Sequence, residues 1–196
     1  MGKVITEGVG SFYQHYPKTA CVVTAHARGK DNAMTAAWHT SLSGKPPLYG
    51  VAIAPKRFTY QLITESGEFG VNFLPFANAE LIAAIGGSRG EELDKFLRFS
   101  IARDKPVKTV VPILKDAYAA YECRLVEDRE YGDHRWLVGE IVATHIQKEA
   151  FAVDGTLNLG NINPTLYLGQ ELYSTVLADS VRSLDRKTYG QRYKEV

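Results

Sequence analysis

The chain has 196 residues, enough for one domain with a sizeable core, and its 45% apolar and 23% charged residues are those of an ordinary globule. A net charge of +1 recommends neither nucleic acid nor an anionic membrane as partner. No apolar run reaches the roughly 18 residues that a membrane span needs, and the opening MGKVITEGVG lacks the apolar core of a signal peptide, so a cytoplasmic protein is expected.

In chain order, residues 1–19 carry Phe12, Tyr13 and Tyr16 between glycines, which predicts a segment that docks on something, a partner subunit being one candidate. Ala20 to Ala27 reads as a strand ending at the turn RGKDN. Asn32 to Ser43 reads as a second, antiparallel strand, and Leu48 to Ala54 as a third that Pro55 stops. Thr59 is placed to cap a short helix through Ile63, Gly67 to turn the chain, and Phe69 to Phe73 to form the next strand. Asn78 opens a second helical piece with Leu81, Ile82 and Ile85 on one face, and Leu93–Phe96 a single turn. Residues 98–117 read as irregular surface chain with one extended piece at Val110–Leu114. Tyr118–Glu127 and Trp136–Ile146 predict a long antiparallel hairpin across DREYGDHR. Tyr167–Tyr173 is a last strand or a docking segment, and the tail from Asp179 a short surface helix.

Antiparallel strands with short turns, too apolar for a one-sided sheet, predict a mainly β fold closed or nearly closed into a barrel, with short flanking helices. No βαβ unit of adequate length and no GxGxxG is present, which argues against a Rossmann domain. Cys21 and Cys123 are expected as buried core thiols.

Polar side chains gather at the junctions of the stretch from Asn32 to Phe73: Asn32, Thr35, Thr40, Ser41, Ser43, Lys56, Arg57, Thr59 and Asn72. A sheet does not need so many hydroxyls and two adjacent cations at its turns, and something small and anionic accounts for them better. Helix-start amides, the Thr59 hydroxyl and Lys56 or Arg57 would together serve one phosphate, although a basic pair also suits a solvated turn. GSRGEELDKF offers a second cationic loop with Arg89 and Lys95, where Lys95 could instead pair with Asp94 or Glu91. His134, in EYGDHR, either reaches a pocket mouth or bonds to Asp133 within the turn. The histidines form no three-ligand cluster, so no metal is expected, and no nucleophile elbow is present.

The pattern N-x-x-T-x-x-W-x-T-x-x-S-x-x-P-P at Asn32–Pro47 resembles that of the flavin reductase-like family of FMN-binding split barrels, of flavoredoxin or ferric reductase type. The same resemblance holds for RxTxxxIxxxGxFxVN from Arg57 to Asn72, SRGxxxDKF from Ser88 to Phe96 and the GDH turn ending at His134. It covers roughly residues 18–175 of a single domain, and implies an antiparallel Greek-key split barrel and a homodimer with FMN near the interface. The terminal segments would pack outside or on the partner. On the matching positions, Thr35, Trp38, His39, Thr40, Ser41, Leu42 and Ser43 would wall the FMN with Asn32. Lys56, Arg57, Thr59, Arg89 and Lys95 would serve its phosphate, and Asn72 would brace the site. His134 would orient a nicotinamide cofactor or substrate. The expectation is an enzyme passing electrons from NAD(P)H to free flavin, another small molecule or a protein. An FMN-binding electron carrier without its own NAD(P)H site is the alternative, and a non-catalytic haem-binding or protein-interaction barrel is a third reading.

Overall fold

The computed structural model describes residues 2–192. A short β1 (Lys18–Thr19) leads into β2 (Cys21–Ala27) and, through the turn Arg28–Gly29, into β3 (Lys30–Ala36). After Ala37 and Trp38 the chain resumes as β4 (His39–Gly44), and β5 (Pro47–Ile53) pairs back on it. Helix α1 (Phe58–Ser66) ends at Gly67, whose φ of 69° is the left-handed cap a glycine adopts without strain, and β6 (Glu68–Phe73) follows. Then come α2 (Ala79–Gly87), α3 (Lys95–Arg98), and the brief strands β7 (Arg103–Asp104) and β8 (Ile113–Leu114). The expected hairpin is β9 (Ala119–Tyr131) with β10 (His134–Ile146), turned on Gly132 and Asp133 alone. The last elements are β11 (Leu166–Gly169), β12 (Leu172–Ser174) and α4 (Arg186–Arg192).

Seven strands form one antiparallel sheet in the order β3-β2-β6-β9-β10-β5-β4. Its two edges, β3 and β4, are consecutive in the chain and separated by only Ala37 and Trp38. Three peptide steps reach about 10 Å, so the sheet must curl until its edges nearly meet at that corner. With β3 and β4 counted as one bent strand, β6 returns beside β2, which is the Greek-key order. The expected single strand from Asn32 to Ser43 is therefore two, broken at Trp38. Among the described residues no ladder joins β3 to β4, so the sheet is curled but not a closed barrel.

The sheet buries both faces. Alternation along β2 sends Cys21, Val23 and Ala25 into a core with Val51, Ile53, Leu62, Ile63, Phe69 and Leu137. Ala20 and Val22 face a second core with Leu74, Ile82, Ile85, Phe96, Val111 and Ile113. Both cysteines are buried and unbridged, and burial pushes their thiols up, Cys123 to about 12.

Residues 98–117 are irregular but not merely surface. Ile101, Val111, Ile113, Leu114 and Ala117 are buried against the outer sheet face. Apart from the two-residue pairing of β7 with β8, side chains satisfy much of their backbone. Glu122 accepts from the amides of Val107, Lys108 and Thr109 at 2.7–2.8 Å, and Asn72 Oδ1 accepts from Leu114 at 2.8 Å. The segment that opens the chain packs on its own subunit: a 3-10 turn at Phe12–His15 lays Phe12 against Trp38 and Tyr13 against Tyr167. Gly169 makes room there, since a Cβ at that position would overlap the Tyr13 ring.

Candidate functional site

One cavity of about 710 Å³ lies where β3, the start of α1, the α2–α3 loop, the start of β10 and the N-terminal segment meet. That size suits a cofactor-sized ligand. Of the expected site residues, Asn32, Thr35, Trp38, Lys56, Arg57, Thr59, Arg89, Lys95 and His134 line it. The others lie outside. Beyond Trp38 the chain crosses to the opposite edge of the sheet, where Thr40, Ser41 and Leu42 are exposed on β4 and Ser43 is half-buried. His39 is spent on structure. Its Nε2 meets the Thr19 carbonyl at 2.8 Å and must carry the proton, so Nδ1 accepts from the Tyr49 hydroxyl at 2.6 Å. Burial lowers its pKa, with Lys18 adding to the effect against the Thr19 bond. Asn72 is buried in the second core, where its amide donates to the Val22 carbonyl and the Thr24 hydroxyl.

The polar end of the cavity is built around Lys95. Asp94 caps α3 by accepting from the Leu97 amide, which sets Lys95 at the first helical position and turns its side chain inward. Only 3% of Lys95 is exposed, and its ammonium donates to the carbonyls of Ala33 at 2.9 Å and Ile85 at 2.8 Å. Among the described residues no carboxylate lies within salt-bridge distance, so the expected alternative pairing with Asp94 or Glu91 does not form. Burial, and then the nearby Arg57 charge, bring its pKa down to about 8. Lys56 and Arg57 are exposed and likewise form no ion pair among the described residues, whereas Arg89 binds Glu92 at 3.0 Å.

Thr59 does not cap α1. Arg57 holds that position and makes no side-chain cap bond, while Thr59 sits inside the first turn, buried, accepting from Asn32 Nδ2 at 2.8 Å. The first residues of α1, Phe58 and Thr59, line the cavity, and no side chain caps the helix start. Gly90 closes tightly over Asn32, and any Cβ there would overlap the Asn32 amide group. Thr35 donates to the Ile82 carbonyl at 2.6 Å and ties β3 to α2. A buried cation, an exposed arginine and open helix-start amides form a donor set that fits a phosphate.

The other end is aromatic, and its N-terminal rings were not expected to belong to the same cavity. Trp38 is the hub. Its Nε1 donates to the Tyr16 hydroxyl at 2.8 Å, Phe12 meets it edge-on at 5.2 Å, and the His134 ring lies tilted at 4.8 Å. His134 does both things considered for it: it lines the cavity and bonds Asp133 through Nδ1 at 2.7 Å. That bond holds the Asp133 carboxyl below its ordinary value. The signal for this wall was three rings within five positions; the glycine that receives Tyr13 is far along the chain and could not be paired with them in advance. Among the described residues no group of histidine, cysteine and carboxylate side chains could hold a metal, and no helix is long and apolar enough to cross a membrane.

The model of the flavin reductase like domain matches residues 13–175. An uncharacterised protein of Aeropyrum pernix is 35% identical over 162 residues, covering 79% of this chain, which spans only 59% of that relative. The NAD(P)H ferric-chelate reductase of Archaeoglobus fulgidus is 30% identical over 131 residues, covering 66% of this chain and 76% of its own. Among solved structures, the FMN-binding protein of Thermus thermophilus with bound 1-cyclohex-2-enone superposes with a TM-score of 0.83 at 34% identity, over 93% of this chain and 100% of its own. The same protein has also been solved with bound p-hydroxybenzaldehyde.

Proposed function

The chain belongs to the flavin reductase-like family, a family of flavin-binding redox proteins, and we propose that it holds FMN in this cavity and passes electrons from NAD(P)H to a small-molecule or protein acceptor. The observation that carries the proposal is Lys95, a buried ammonium with two carbonyls and no carboxylate, beside Arg57 and the open start of α1. Such a charge is costly to bury unless an anion completes its shell. The FMN phosphate is that anion in this reading. Lys95 supplies the fixed charge, Arg57 the adjustable fork, and the α1 amides the neutral donors.

Bound FMN supplies hydride acceptance and electron release, and the protein supplies binding, orientation and electrostatics. Asn32, held against Thr59 and pressed by Gly90, gives a rigid amide between the phosphate end and the ring end. Trp38 and His134 form a wall that keeps water from one side of the site. No general acid or base is needed for hydride transfer, so the shortage of unpaired carboxylates in the cavity is no obstacle. The named activity of the Archaeoglobus relative supports NAD(P)H as donor, and the ligands of the Thermus protein support a small ring carbonyl among the acceptors. A homodimer belongs to the proposal as well, with the exposed strand β4 and Leu42 as contact surface. An electron carrier without its own nicotinamide site is the second reading, favoured by the exposed cations at the mouth. The test is the absorbance of FMN-loaded protein under anaerobic conditions after adding NADH, then NADPH. Bleaching of the flavin bands within seconds is expected. Flavin bands that persist with both donors would leave the electron carrier.

A further inference from the structure

We infer that the aromatic end of the cavity is an acceptor subsite built by the chain's own N-terminal segment, in which the Tyr16 hydroxyl donates a hydrogen bond to the carbonyl oxygen of a planar, uncharged ring. The inference rests on the FMN reading above and adds the residues that would recognise the acceptor. Polarity divides the cavity. Arg57 stands near enough to Lys95 to act on its charge, whereas Phe12, Tyr16, Trp38 and His134 offer ring surface, with Lys56 near enough to Asp133 to act on its carboxyl. Anionic groups therefore belong at the first end and uncharged ring systems at the second.

The hydrogen-bond inventory of this wall makes the assignment more specific. Indole Nε1 can only donate, so the Tyr16 oxygen accepts in its 2.8 Å bond with Trp38. The Tyr16 hydroxyl hydrogen is then left with no recorded acceptor among the described residues. Accepting from Trp38 also polarises the Tyr16 hydroxyl and makes it the better donor. His134 turns its Nδ1 to the Asp133 carboxylate at 2.7 Å, which leaves Nε2 as the ring's remaining polar atom. A conjugated ring carbonyl answers the hydroxyl, and a second hydroxyl on the ring would answer Nε2. The segment is held for the purpose. Tyr13 and Tyr16 pack edge-on against Tyr167, and Gly169 is shaped to receive Tyr13.

The test compares p-hydroxybenzaldehyde with p-cresol, which keeps the ring and the phenol but lacks the carbonyl, as ligands of FMN-loaded protein. Binding is read from perturbation of the flavin bands, and FMN affinity separately from quenching of flavin fluorescence. Tyr16→Phe should weaken the aldehyde about fivefold and leave p-cresol within twofold, as expected for loss of one neutral hydrogen bond. Phe12→Ala should weaken both by a similar factor, because it removes ring surface alone. FMN affinity should stay within twofold in both variants. Unchanged aldehyde binding in Tyr16→Phe, or equal loss of both ligands, overturns the assignment of the hydroxyl. Unchanged binding of both in Phe12→Ala overturns the subsite. Wild-type protein that takes up no FMN overturns the cofactor reading itself, and the subsite with it.

Discussion

Two charges are buried on the flanks of the same sheet, and their surroundings could hardly differ more. Glu122 on β9 is fully buried and accepts five hydrogen bonds, from the amides of Val107, Lys108 and Thr109, the Thr109 hydroxyl and His145. Burial alone would raise its pKa, but the Val107 amide, His145, the Lys108 amide and the Thr109 hydroxyl outweigh that and hold it at about 2. Lys95 is almost as buried, with two carbonyls and a neighbouring arginine, and its charge is disfavoured instead of favoured. A buried charge whose shell is complete is architecture. One whose shell is open, beside a second cation and a cavity, is a place for a ligand.

Removing each charge should separate the two roles. The largest effect is expected from Glu122→Gln, which loses about 3 kcal/mol of folding stability in urea unfolding because several charge-assisted bonds go at once. It should leave FMN affinity within twofold. The pH dependence of wild-type stability follows the same logic. The Glu122 carboxyl sits below its unfolded value of 4.5, so its contribution is complete above that pH and is lost as the pH falls toward 2. Acid unfolding over that window should be blunted in Glu122→Gln.

The next effect concerns binding. With its free pKa near 8, Lys95 is protonated below that pH and neutral above it, and an anion binds only the protonated form tightly. FMN affinity should fall about tenfold between pH 7 and pH 9, one pH unit past the midpoint, as measured by fluorescence quenching. The fall should vanish in Lys95→Met. The smallest expected effect is on that variant's own stability without flavin: unchanged, or higher by about 1 kcal/mol at pH 7, since an uncompensated buried charge is gone. A loss of stability comparable to that of Glu122→Gln would erase the contrast between the two sites.

Much of this fold was readable in advance because β2, β5, β6 and the β9–β10 hairpin are apolar runs bounded by proline, glycine or a tight turn. The break at Ala37–Trp38 was not readable. A strand that bends across a sheet from one edge to the other keeps its alternation, and only the pairing of β3 with β2 and of β4 with β5 reveals it. The same bend explains why the hydroxyls of Thr40, Ser41 and Ser43 leave the cavity that Asn32 and Thr35 line. Residues 98–117 were misjudged because their burial depends on Glu122 and Asn72, side chains far away in the chain. The cationic end of the cavity was legible in KR and DKF, where charges stand at element boundaries. Its aromatic end depended on Tyr16 meeting Trp38, a contact that spacing does not announce.

The most direct test of the account is a paired titration of flavin-free protein with FMN and with riboflavin, which differ only in the phosphate, for wild type and Lys95→Met. The wild type should bind FMN about 100-fold more tightly than riboflavin, the equivalent of about 2.7 kcal/mol from charge-assisted contacts, and Lys95→Met should lose most of that difference. Equal affinity for the two flavins, or a difference that survives in Lys95→Met, would contradict the assignment of the buried lysine to the phosphate.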